Sequence, residues 1–484
     1  MELYPTATGP DRRLIYNQKV YTRKRTTPTW IRWECSKRRT QNCKGGLTTD
    51  NPARNPRSFK AHDCDVNNVM VEITKVRQNM RDHARANVGA STVNIIAAGI
   101  QTLTPEAVAV LPDLNIIKRD IQRQKAIHRP IEPVDLASIN LVDSWTTIGG
   151  ANPQPFLIHD SGPAAGINRI LVFAYDEPLR HLASCRMRFM DGTFKVAPAI
   201  FMQLYVIRAK LDEGAISCVY CLLPGKGQLL YQELFTVVQR KMQNLGCIVN
   251  LNTITVDFEQ AAYQATRYVF GVNLRINGCF YHLKQSIFRH AVDLGLRMYI
   301  VDGSNQLDPL IREFVGMIAA LAFVLALNDI QRALQVLFAN IPNPMITPLV
   351  EYFDESYVRG PMMNGQPRFQ PALWNKYDIT LNNHASGCRT NNICEGWNNA
   401  FNKLVGQQHP PLYKLIESMQ KDYAQVNVTL TRSRNGNPLV TRVRQEVRLY
   451  NRNLHTYCLQ YQQDFNANNM IGYLRLLSNN IRYR

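Results

Sequence analysis

Residues 186–198 read RMRFMDGTFKVAP, and they begin the part of the chain whose pattern decides the fold. Apolar and basic residues alternate up to Met190, which is typical of a β-strand, and Asp191 then directly follows the predicted strand. Three neighbouring segments have the same strand-like composition, namely residues 170–176, 200–210 and 215–224. The sequence therefore predicts four successive strands between residues 170 and 224.

Downstream of these strands, the pattern alternates between helix and strand. It predicts helices over residues 227–246 and 260–270, strands over 253–259 and 272–282, helices throughout 283–345, and a last helical region from about Asn392. Strands that are followed by a helix and then by further strands indicate an α/β fold, a mixed sheet with helices on its faces.

Upstream, residues 10–64 alternate as short strands, and residues 69–135 show helical spacing at Leu111, Leu114, Ile117 and Ile121. The longest apolar run, residues 314–327, is too short to span a bilayer and predicts a buried core helix. The N-terminal segment MELYPTATGPDRR lacks the apolar core of a signal peptide, so we expect an intracellular protein. An apolar content of 45% excludes a mainly disordered chain.

The net charge of +19 is concentrated at the two ends of the chain. Residues 1–64 carry +9 and residues 432–484 carry +7, whereas the 367 residues between them carry only +3. This distribution predicts basic arms that bind a polyanion, with nucleic acid as the obvious partner. Basic ends that only keep the protein soluble would explain the same numbers.

Four potential metal ligands lie within the basic N-terminal segment, in the spacing C-x7-C-x18-H-x-C. Cys35, Cys43, His62 and Cys64 suit a closed tetrahedral zinc site of the structural kind. So small a module has little core, and metal binding would supply much of its folding energy. We expect the interleaved basic residues to contact nucleic acid, namely Arg23, Lys24, Arg25, Lys37, Arg38 and Arg39.

This segment resembles a FLYWCH zinc finger. The resemblance rests on Leu14, Tyr16, Tyr21, Trp33, Cys35, Lys37-Arg38-Arg39, Cys43, Lys44, Gly45, Leu47 and His62. The family usually ends in His-x-His, whereas Cys64 stands at the second position here, and His83 further on is an alternative fourth ligand. The resemblance implies binding to DNA and to protein.

Three carboxylates form the second constellation. Asp191 follows one predicted strand, Asp257 ends the strand TITVD, and Glu395 opens a predicted helix in RTNNICEGWNNAF. Hard oxygen ligands of this kind suit Mg²⁺ or Mn²⁺, and a pair of such ions can activate water for phosphodiester hydrolysis. From spacing alone, aspartates that cap turns at strand ends are the commoner explanation.

Residues 155–405 resemble the MULE (Mutator-like element) transposase domain. The stretches that carry the resemblance are PFLIHDS, RILVFAYDEPLRHLA, MDGTFKVAP, FMQLYVIRAK, TVDFEQAA, GCFYHLKQSIFRH, LWN and RTNNICEGWN. It implies a ribonuclease-H-like fold with a helical insertion, and a catalytic triad of Asp191, Asp257 and Glu395. It also implies DNA partners, namely terminal inverted repeats and target DNA, a homo-oligomer on DNA, and a nuclear location without a membrane.

Further residues are secondary candidates. Glu259 would point the same way as Asp257 along an extended segment and could assist metal binding. Cys279 and His282 form a C-x-x-H pair that His384 and Cys388 could complete into a zinc site, although a buried thiol and a structural histidine explain the pair as well. Three more polar residues that flank the acids could contact phosphate, namely Lys195, Arg389 and Asn392.

These interpretations predict a sequence of segments along the chain. They are a zinc finger over 8–66, a helical linker or DNA-binding region over 67–150, a transposase core over 155–282 and 386–405, a helical insertion over 283–385, and a basic helical region over 406–484.

Three functions fit the sequence. The first is a transposase that cleaves element ends and joins them to target DNA. The alternative is a domesticated transcriptional regulator that keeps the fold and only binds DNA. A ribonuclease-H-like nuclease of another role is a third possibility. The presence of all three acids favours catalysis. Inverted repeats flanking the coding region would distinguish the transposase from the regulator.

Overall fold

The structure is a computed structural model. It describes residues 2–5, 12–51, 53–65, 68–86, 92–128, 130–142, 145–148, 153–301, 304–361, 365–382, 392–440, 445–464 and 469–481. The chain forms two compact units, Met1–Ile131 and Glu132–Arg484.

The first unit begins with a six-stranded antiparallel sheet in which the strands follow one another in chain order. Its strands are β1 (Glu2–Pro5), β2 (Arg12–Tyr16), β3 (Lys19–Thr26), β4 (Trp30–Cys35), β5 (Gly46–Asp50) and β6 (Arg54–Lys60). One face is apolar and buries Leu14, Trp33 and Leu47 completely. The Trp33 indole N–H donates to Thr49 Oγ1 over 2.9 Å, which satisfies the polar atom of this buried ring.

Four helices follow among the described residues of the first unit, as the helical spacing predicts. They are α1 (Asn68–Ala86), α2 (Thr92–Ile100), α3 (Pro105–Ala109) and α4 (Leu114–His128). Ile117 and Ile121 are buried against α1 and α2, whereas Leu114 is 53% exposed because it occupies the first position of α4. The buried Asp120 carboxylate accepts from Arg81 Nη2 at 2.7 Å and from Arg77 Nη2 at 3.1 Å, which joins α4 to α1.

The second unit is built on a seven-stranded mixed sheet in the order β15-β14-β11-β12-β13-β10-β9, and a short β7-β8 pair precedes it. The strands are β7 (Thr147–Ile148), β8 (Gln154–Pro155), β9 (Leu157–Asp160), β10 (Leu171–Ala174), β11 (Met187–Thr193), β12 (Gln203–Leu211), β13 (Gly214–Leu223), β14 (Thr253–Val256) and β15 (Arg275–Gly278). β11, β14 and β15 run parallel, and β12 runs antiparallel to both of its neighbours.

Helices cover both faces of this sheet. They are α5 (Asp176–Ser184), α6 (Gln228–Asn244), α7 (Gln260–Phe270), α8 (Phe280–Asp293), α9 (Arg297–Ile300), α10 (Pro309–Ala320), α11 (Leu327–Ala339), α12 (Thr347–Phe353), α13 (Pro371–Trp374), α14 (Tyr377–Asn382), α15 (Asn392–Val405), α16 (Leu412–Arg434), α17 (Gln445–Asp464) and α18 (Met470–Ser478). Side chains of α5 to α8 share a core with one face, and α15 and α16 pack on the other. This arrangement is the ribonuclease-H-like mixed α/β fold that the resemblance predicts, with helices α8 to α14 between β15 and α15.

The structure corrects four local predictions. α5 separates the first predicted strand from the second, so these strands are not consecutive in an all-β run. Asp191 lies inside β11, opposite Val206 of β12, because pairing with β12 continues to Thr193. The strand predicted over 272–282 ends at Gly278, and its last residues begin α8. The apolar run 314–327 leaves the helical conformation at Val324, which has extended backbone dihedral angles.

The C-terminal segment is part of the core and is not an arm beside it. Leu454 and Cys458 of α17 and Leu474 and Leu477 of α18 are fully buried in the same core as α10. Gly316 of α10 has no room for a side chain, since a Cβ there would lie 2.9 Å from Ser478 Cβ. The apolar faces of α17 and α18 therefore explain why this basic segment packs into the core. Among the described helices, none has the length and apolar character to cross a bilayer.

Candidate metal centres

The first unit brings the four predicted zinc ligands together. Cys35 ends β4, Cys43 precedes β5, and His62 and Cys64 follow β6. One ligand atom from each of the four residues lies within 4.8 Å of the others. Cys35 Sγ and Cys64 Sγ are 3.7 Å apart, and His62 Nδ1 is 3.4 Å from Cys43 Sγ and 3.6 Å from Cys64 Sγ.

These spacings fit a zinc ion. Sulfur atoms about 2.3 Å from a tetrahedral zinc lie about 3.8 Å apart, and a nitrogen about 2.0–2.1 Å from it lies about 3.5–3.6 Å from each sulfur. The Cys3His cluster therefore has the geometry of a structural zinc site. His83 lies in the last turn of α1, outside the cluster, so Cys64 is the fourth potential ligand.

Neighbouring groups orient the cluster. His62 directs Nδ1 to the thiols and places Nε2 2.8 Å from the Tyr21 hydroxyl, the arrangement that fixes the ring of a ligating histidine. A Cβ on Gly45 would lie 2.5 Å from His62 Nδ1, so this position has no room for a side chain. Burial opposes ionisation of Cys43, but the backbone N–H groups of Gly45 and Asp63 help to lower the pKa of its thiol to about 7.

The predicted nucleic-acid contacts lie beside the cluster, on β3 and on the turn after β4. Lys24 Nζ and Arg38 Nε lie 3.7 Å and 3.4 Å from Glu34 Oε2. Arg25 stands opposite Arg32 across β3 and β4. The six predicted residues therefore belong to one basic region of the first unit, comprising Arg23, Lys24, Arg25, Lys37, Arg38 and Arg39.

In the second unit, Asp191 and Asp257 line one cleft of about 60 Å³ together with Glu259. Asp191 is only 7% exposed. Burial, and after it the adjacent Asp257 carboxylate, raise the pKa of Asp191 to about 8. Two carboxyl groups pressed together in this way repel each other unless a proton or a cation lies between them.

Glycine and glutamine shape this cleft. A Cβ on Gly192 would lie 2.3 Å from Gln203 Oε1, so a side chain at this position would displace the Gln203 amide. Gln203 Nε2 donates to the Tyr231 hydroxyl over 2.7 Å, and this hydroxyl in turn donates to Glu259. Glu259 Oε2 also lies 3.0 Å from Lys226 Nζ. Glu259 shares the cleft as predicted, but its carboxylate already has two partners.

A histidine that belongs to the predicted C-x-x-H pair contacts the second aspartate. Cys279 is fully buried directly before α8, and His282 lies in the first turn of that helix. His282 Nδ1 forms an ion pair with Asp257 Oδ1 at 2.9 Å, without the alignment of a good hydrogen bond. Although burial opposes it, contacts with Asp257 and Cys279 raise the pKa of His282 to about 11. His384 and Cys388, the other two predicted ligands, lie outside the described residues.

Glu395 lies in the first turn of α15, on the side of the sheet that carries Asp191. Trp397 anchors the helix, because its indole N–H lies 3.0 Å from Asp422 Oδ2 of α16. Arg208 of β12 donates to the Ile393 carbonyl over 2.7 Å and so holds the start of α15. Burial raises the pKa of Glu395; the charge of His282 opposes this effect, and the Asp257 carboxylate adds to it.

Asn398 connects this helix to the first aspartate. It lies three residues after Glu395, hence on the same helical face, and its Nδ2 donates to Asp191 Oδ2 over 2.8 Å. Three residues near the acids are predicted to contact phosphate. Lys195 is exposed, whereas Arg389 and the side chain of Asn392 lie outside the described part of the chain.

The donor set of the second unit suits a hard cation. Glu395 Oε1 and Asp257 Oδ1 are both buried without a hydrogen-bond partner among the described residues, and Asp257 Oδ1 forms an ion pair with His282. Carboxylate oxygens are the ligands that Mg²⁺ prefers. The three acids are nevertheless less compact than the zinc cluster, which is the one group of three or more potential ligands within 4.8 Å in the described part of the chain.

Comparison with known families accounts for both regions. Residues 6–63 match the FLYWCH zinc finger domain, and residues 187–286 match the MULE transposase domain. The chain carries a FLYWCH zinc finger and a MULE transposase domain. No curated protein matches the chain. The MULE match is narrower than the predicted resemblance over 155–405 and implies a transposase-related DNA function.

The matched ranges include most of the predicted site residues. The FLYWCH match contains Cys35, Cys43 and His62 and ends one residue before Cys64. The MULE match contains Asp191, Asp257, Cys279 and His282, whereas Glu395 lies beyond it.

Several residues of the MULE region were not predicted to act at the site, namely Asn398, Trp397, Arg208, Gln203 and Lys226. Asn398 and Trp397 lie inside the quoted RTNNICEGWN stretch, so helical spacing from Glu395 could have indicated that Asn398 shares its face. Arg208, Gln203 and Lys226 come from β12 and from the loop before α6, and no local pattern connects them to an acid.

Proposed function

We propose that the protein is a DNA transposase that hydrolyses phosphodiester bonds at element ends and joins the 3′ hydroxyl groups to target DNA. Asp191, Asp257 and Glu395 would hold Mg²⁺ or Mn²⁺. The observation that supports this best is the packing of the Asp191 and Asp257 carboxylates in one cleft of the MULE domain, where burial and mutual repulsion raise the pKa of Asp191 to about 8. A cation between them would relieve that repulsion.

When bound, such a metal activates water and stabilises the charge that develops on the leaving oxygen. The residues of the chain would position the acids for it. Asn398 orients the Asp191 carboxylate, His282 balances the charge of Asp257, and Trp397 and Arg208 fix the helix that carries Glu395. Lys226, at the rim of the cleft, adds a positive charge near the place where a phosphate would approach.

The zinc finger would contribute DNA affinity through the basic region of β3 and the turn after β4. We further propose that the protein works as a homo-oligomer on terminal inverted repeats, in the nucleus. Deletion of residues 1–64 removes nine net positive charges and should weaken DNA binding and reduce its dependence on salt. An unchanged salt slope in titrations would show that this region does not contact phosphates.

Cleavage of DNA that carries the element's inverted repeats tests the catalytic proposal. Asp191→Ala and Asp257→Ala should each abolish Mg²⁺-dependent cleavage, and Mn²⁺ should replace Mg²⁺ in the unmodified protein. Glu351→Ala removes an exposed acid of α12 and should cleave normally, which makes it a matched control.

DNA binding is measured in parallel by fluorescence anisotropy and should survive each substitution. Cleavage by Asp191→Ala or Asp257→Ala protein would refute the two-metal proposal. Normal binding by an unmodified protein that never cleaves would instead favour the regulator.

A further inference from the structure

The outward face of the zinc-finger sheet carries a groove that the zinc site does not use. Its volume is about 410 Å³, which is within the range of small-ligand sites. Two exposed aromatic rings and two guanidinium groups line it, together with an acid and an amide: Trp30, Arg32, Asp50, Asn55, Arg57 and Phe59.

Strand alternation separates this face from the apolar core. Along β4, Trp30 and Arg32 are exposed, whereas Ile31 and Trp33, which alternate with them, are buried. Trp30 pairs with Asp50 of β5, and Arg32 pairs with Thr48, which places these side chains on one side of the sheet.

The backbone of Trp30 and the ring of Phe59 are held in place. The Trp30 backbone N–H donates to Thr27 Oγ1 over 3.0 Å, and the Trp30 carbonyl accepts from the Thr27 N–H over 2.8 Å, which fixes the start of β4. Phe59 lies over Gly46, where a Cβ would approach its ring within 2.4 Å. The Arg32 guanidinium lies 4.8 Å from the centre of the Phe59 ring. Trp30 is 37% and Phe59 46% exposed.

Charge and polarity indicate the occupant. The described part of the chain shows no ion pair for Arg32 or Arg57, and Arg25, across from Arg32, extends the positive charge to β3. Asn55 Nδ2 donates to Asp50 Oδ2 over 2.7 Å, and this pair still offers donors and acceptors to the polar edge of a ligand. An aromatic ring, a guanidinium and an amide–carboxylate pair match the base face, the phosphate and the base edge of a nucleotide.

We propose that this groove binds unpaired nucleotides of DNA, with a base stacked on Trp30 or Phe59 and the backbone phosphate at Arg32 and Arg57. The inference rests on the proposed DNA function. Bases inside a duplex stack on one another and hide their faces from aromatic side chains, whereas single strands expose them. Phosphate contact alone would not require exposed aromatic rings. The single strand next to an opened or cleaved element end is DNA of this kind.

The test compares the affinity of the full-length protein for a labelled 12-nucleotide single strand and for the corresponding duplex by fluorescence anisotropy at fixed salt. Trp30→Ala should weaken binding to the single strand on the order of 10- to 100-fold, from the usual strength of base–aromatic stacking, and change duplex binding less than about twofold. Phe59→Ala should act in the same direction. Trp30→Phe retains a ring and should restore most of the affinity. Tyr268→Ala removes a 75% exposed ring of α7 and should change neither.

Unchanged zinc content and thermal midpoint would show that each variant is folded. If both Ala variants bind the single strand within twofold of the affinity of the unmodified protein, and duplex binding persists, the inference is overturned. An equal loss for single strand and duplex also overturns it, because the groove would then contact only the backbone. Binding of a labelled acidic peptide that Trp30→Ala abolishes, without effect on the single strand, would assign the groove to a protein partner. Absence of all DNA binding by the unmodified protein would refute the DNA function itself.

Discussion

The zinc cluster and the carboxylate cleft differ in how their ligands are brought together. All four potential zinc ligands come from 30 consecutive residues, and the distances from Cys64 Sγ to Cys35 Sγ and from His62 Nδ1 to two of the sulfur atoms fit a tetrahedral site. The acids come from two strands and a helix, and Glu395 lies 138 residues beyond Asp257. The first site needs only a small sheet, whereas the second depends on the core that places α15 against β11.

The two sites also differ in what compensates their charge. The zinc ligands have N–H groups, Lys19 and Tyr21 around them, and the ligand atoms face one another. The three carboxylates differ in their partners. Asn398 donates to Asp191 and His282 forms an ion pair with Asp257, whereas one oxygen of Glu395 has no hydrogen-bond partner among the described residues. Loss of one zinc ligand is therefore expected to unfold its module, whereas loss of an acid, or of a residue that holds an acid, should impair cleavage while DNA binding survives.

The largest effect is expected from Cys35→Ser. Zinc contributes about 10–16 kcal/mol to the folding of small zinc modules, far more than the core of this sheet can replace. The variant should lose its metal and expose residues 12–65 to protease, as seen by metal analysis and limited proteolysis. Cys247→Ser, a half-buried cysteine of the second unit, is the control. A Cys35→Ser protein that keeps one zinc and resists protease would contradict the assignment.

The next effect separates two acids of the second site. Glu395→Gln should lower cleavage about a thousandfold, since a metal ligand supplies several kcal/mol of transition-state stabilisation. Glu259→Gln should lower it less than about tenfold, because that carboxylate is already held by Lys226 and Tyr231. Single-turnover cleavage rates measure both. The reverse order would make Glu259 the third ligand and Glu395 a structural acid.

A smaller effect is expected from Asn398→Ala. Loss of the donor to Asp191 should raise the Mg²⁺ concentration needed for half-maximal cleavage by about 10- to 100-fold, the usual cost of removing a residue that orients a metal ligand. Asn399→Ala alters the exposed neighbouring residue on the same helix and should behave normally. If the two variants need the same Mg²⁺ concentration for half-maximal cleavage, the hydrogen bond from Asn398 to Asp191 has no role in metal binding.

The smallest effect concerns the anchor of α15. Trp397→Phe removes the indole donor to the buried Asp422 carboxylate, which keeps the Tyr220 hydroxyl as a partner. The free energy of unfolding should fall by about 1–3 kcal/mol. Thermal or urea unfolding measures the change, and cleavage should fall less than with Asn398→Ala. A variant as stable as the unmodified protein would show that the anchor is dispensable.

Local patterns predicted much of both regions. The four potential zinc ligands follow from spacing, since Cys and His at these intervals in a small basic module have few other uses. Helix α7 was predicted over the residues it occupies, and strand β12 begins three residues later than predicted and ends one residue later. The position of Asp191 inside β11 was missed, because pairing with β12, which is not a local property, determines where that strand ends. Asn398 and His282 were missed as partners of the acids for the same reason.

The sequence alone predicted most of the strands and helices, the four potential zinc ligands and the three candidate acids. These depend on residue type, periodicity and short spacing, which act over a few residues. Only the tertiary structure decided that Asp191 and Asp257 share one buried cleft, that Asn398 holds Asp191, and that α17 and α18 pack into the core. Burial and carboxylate repulsion arise between residues far apart in the chain, so they exist only once the sheet and its helices have assembled.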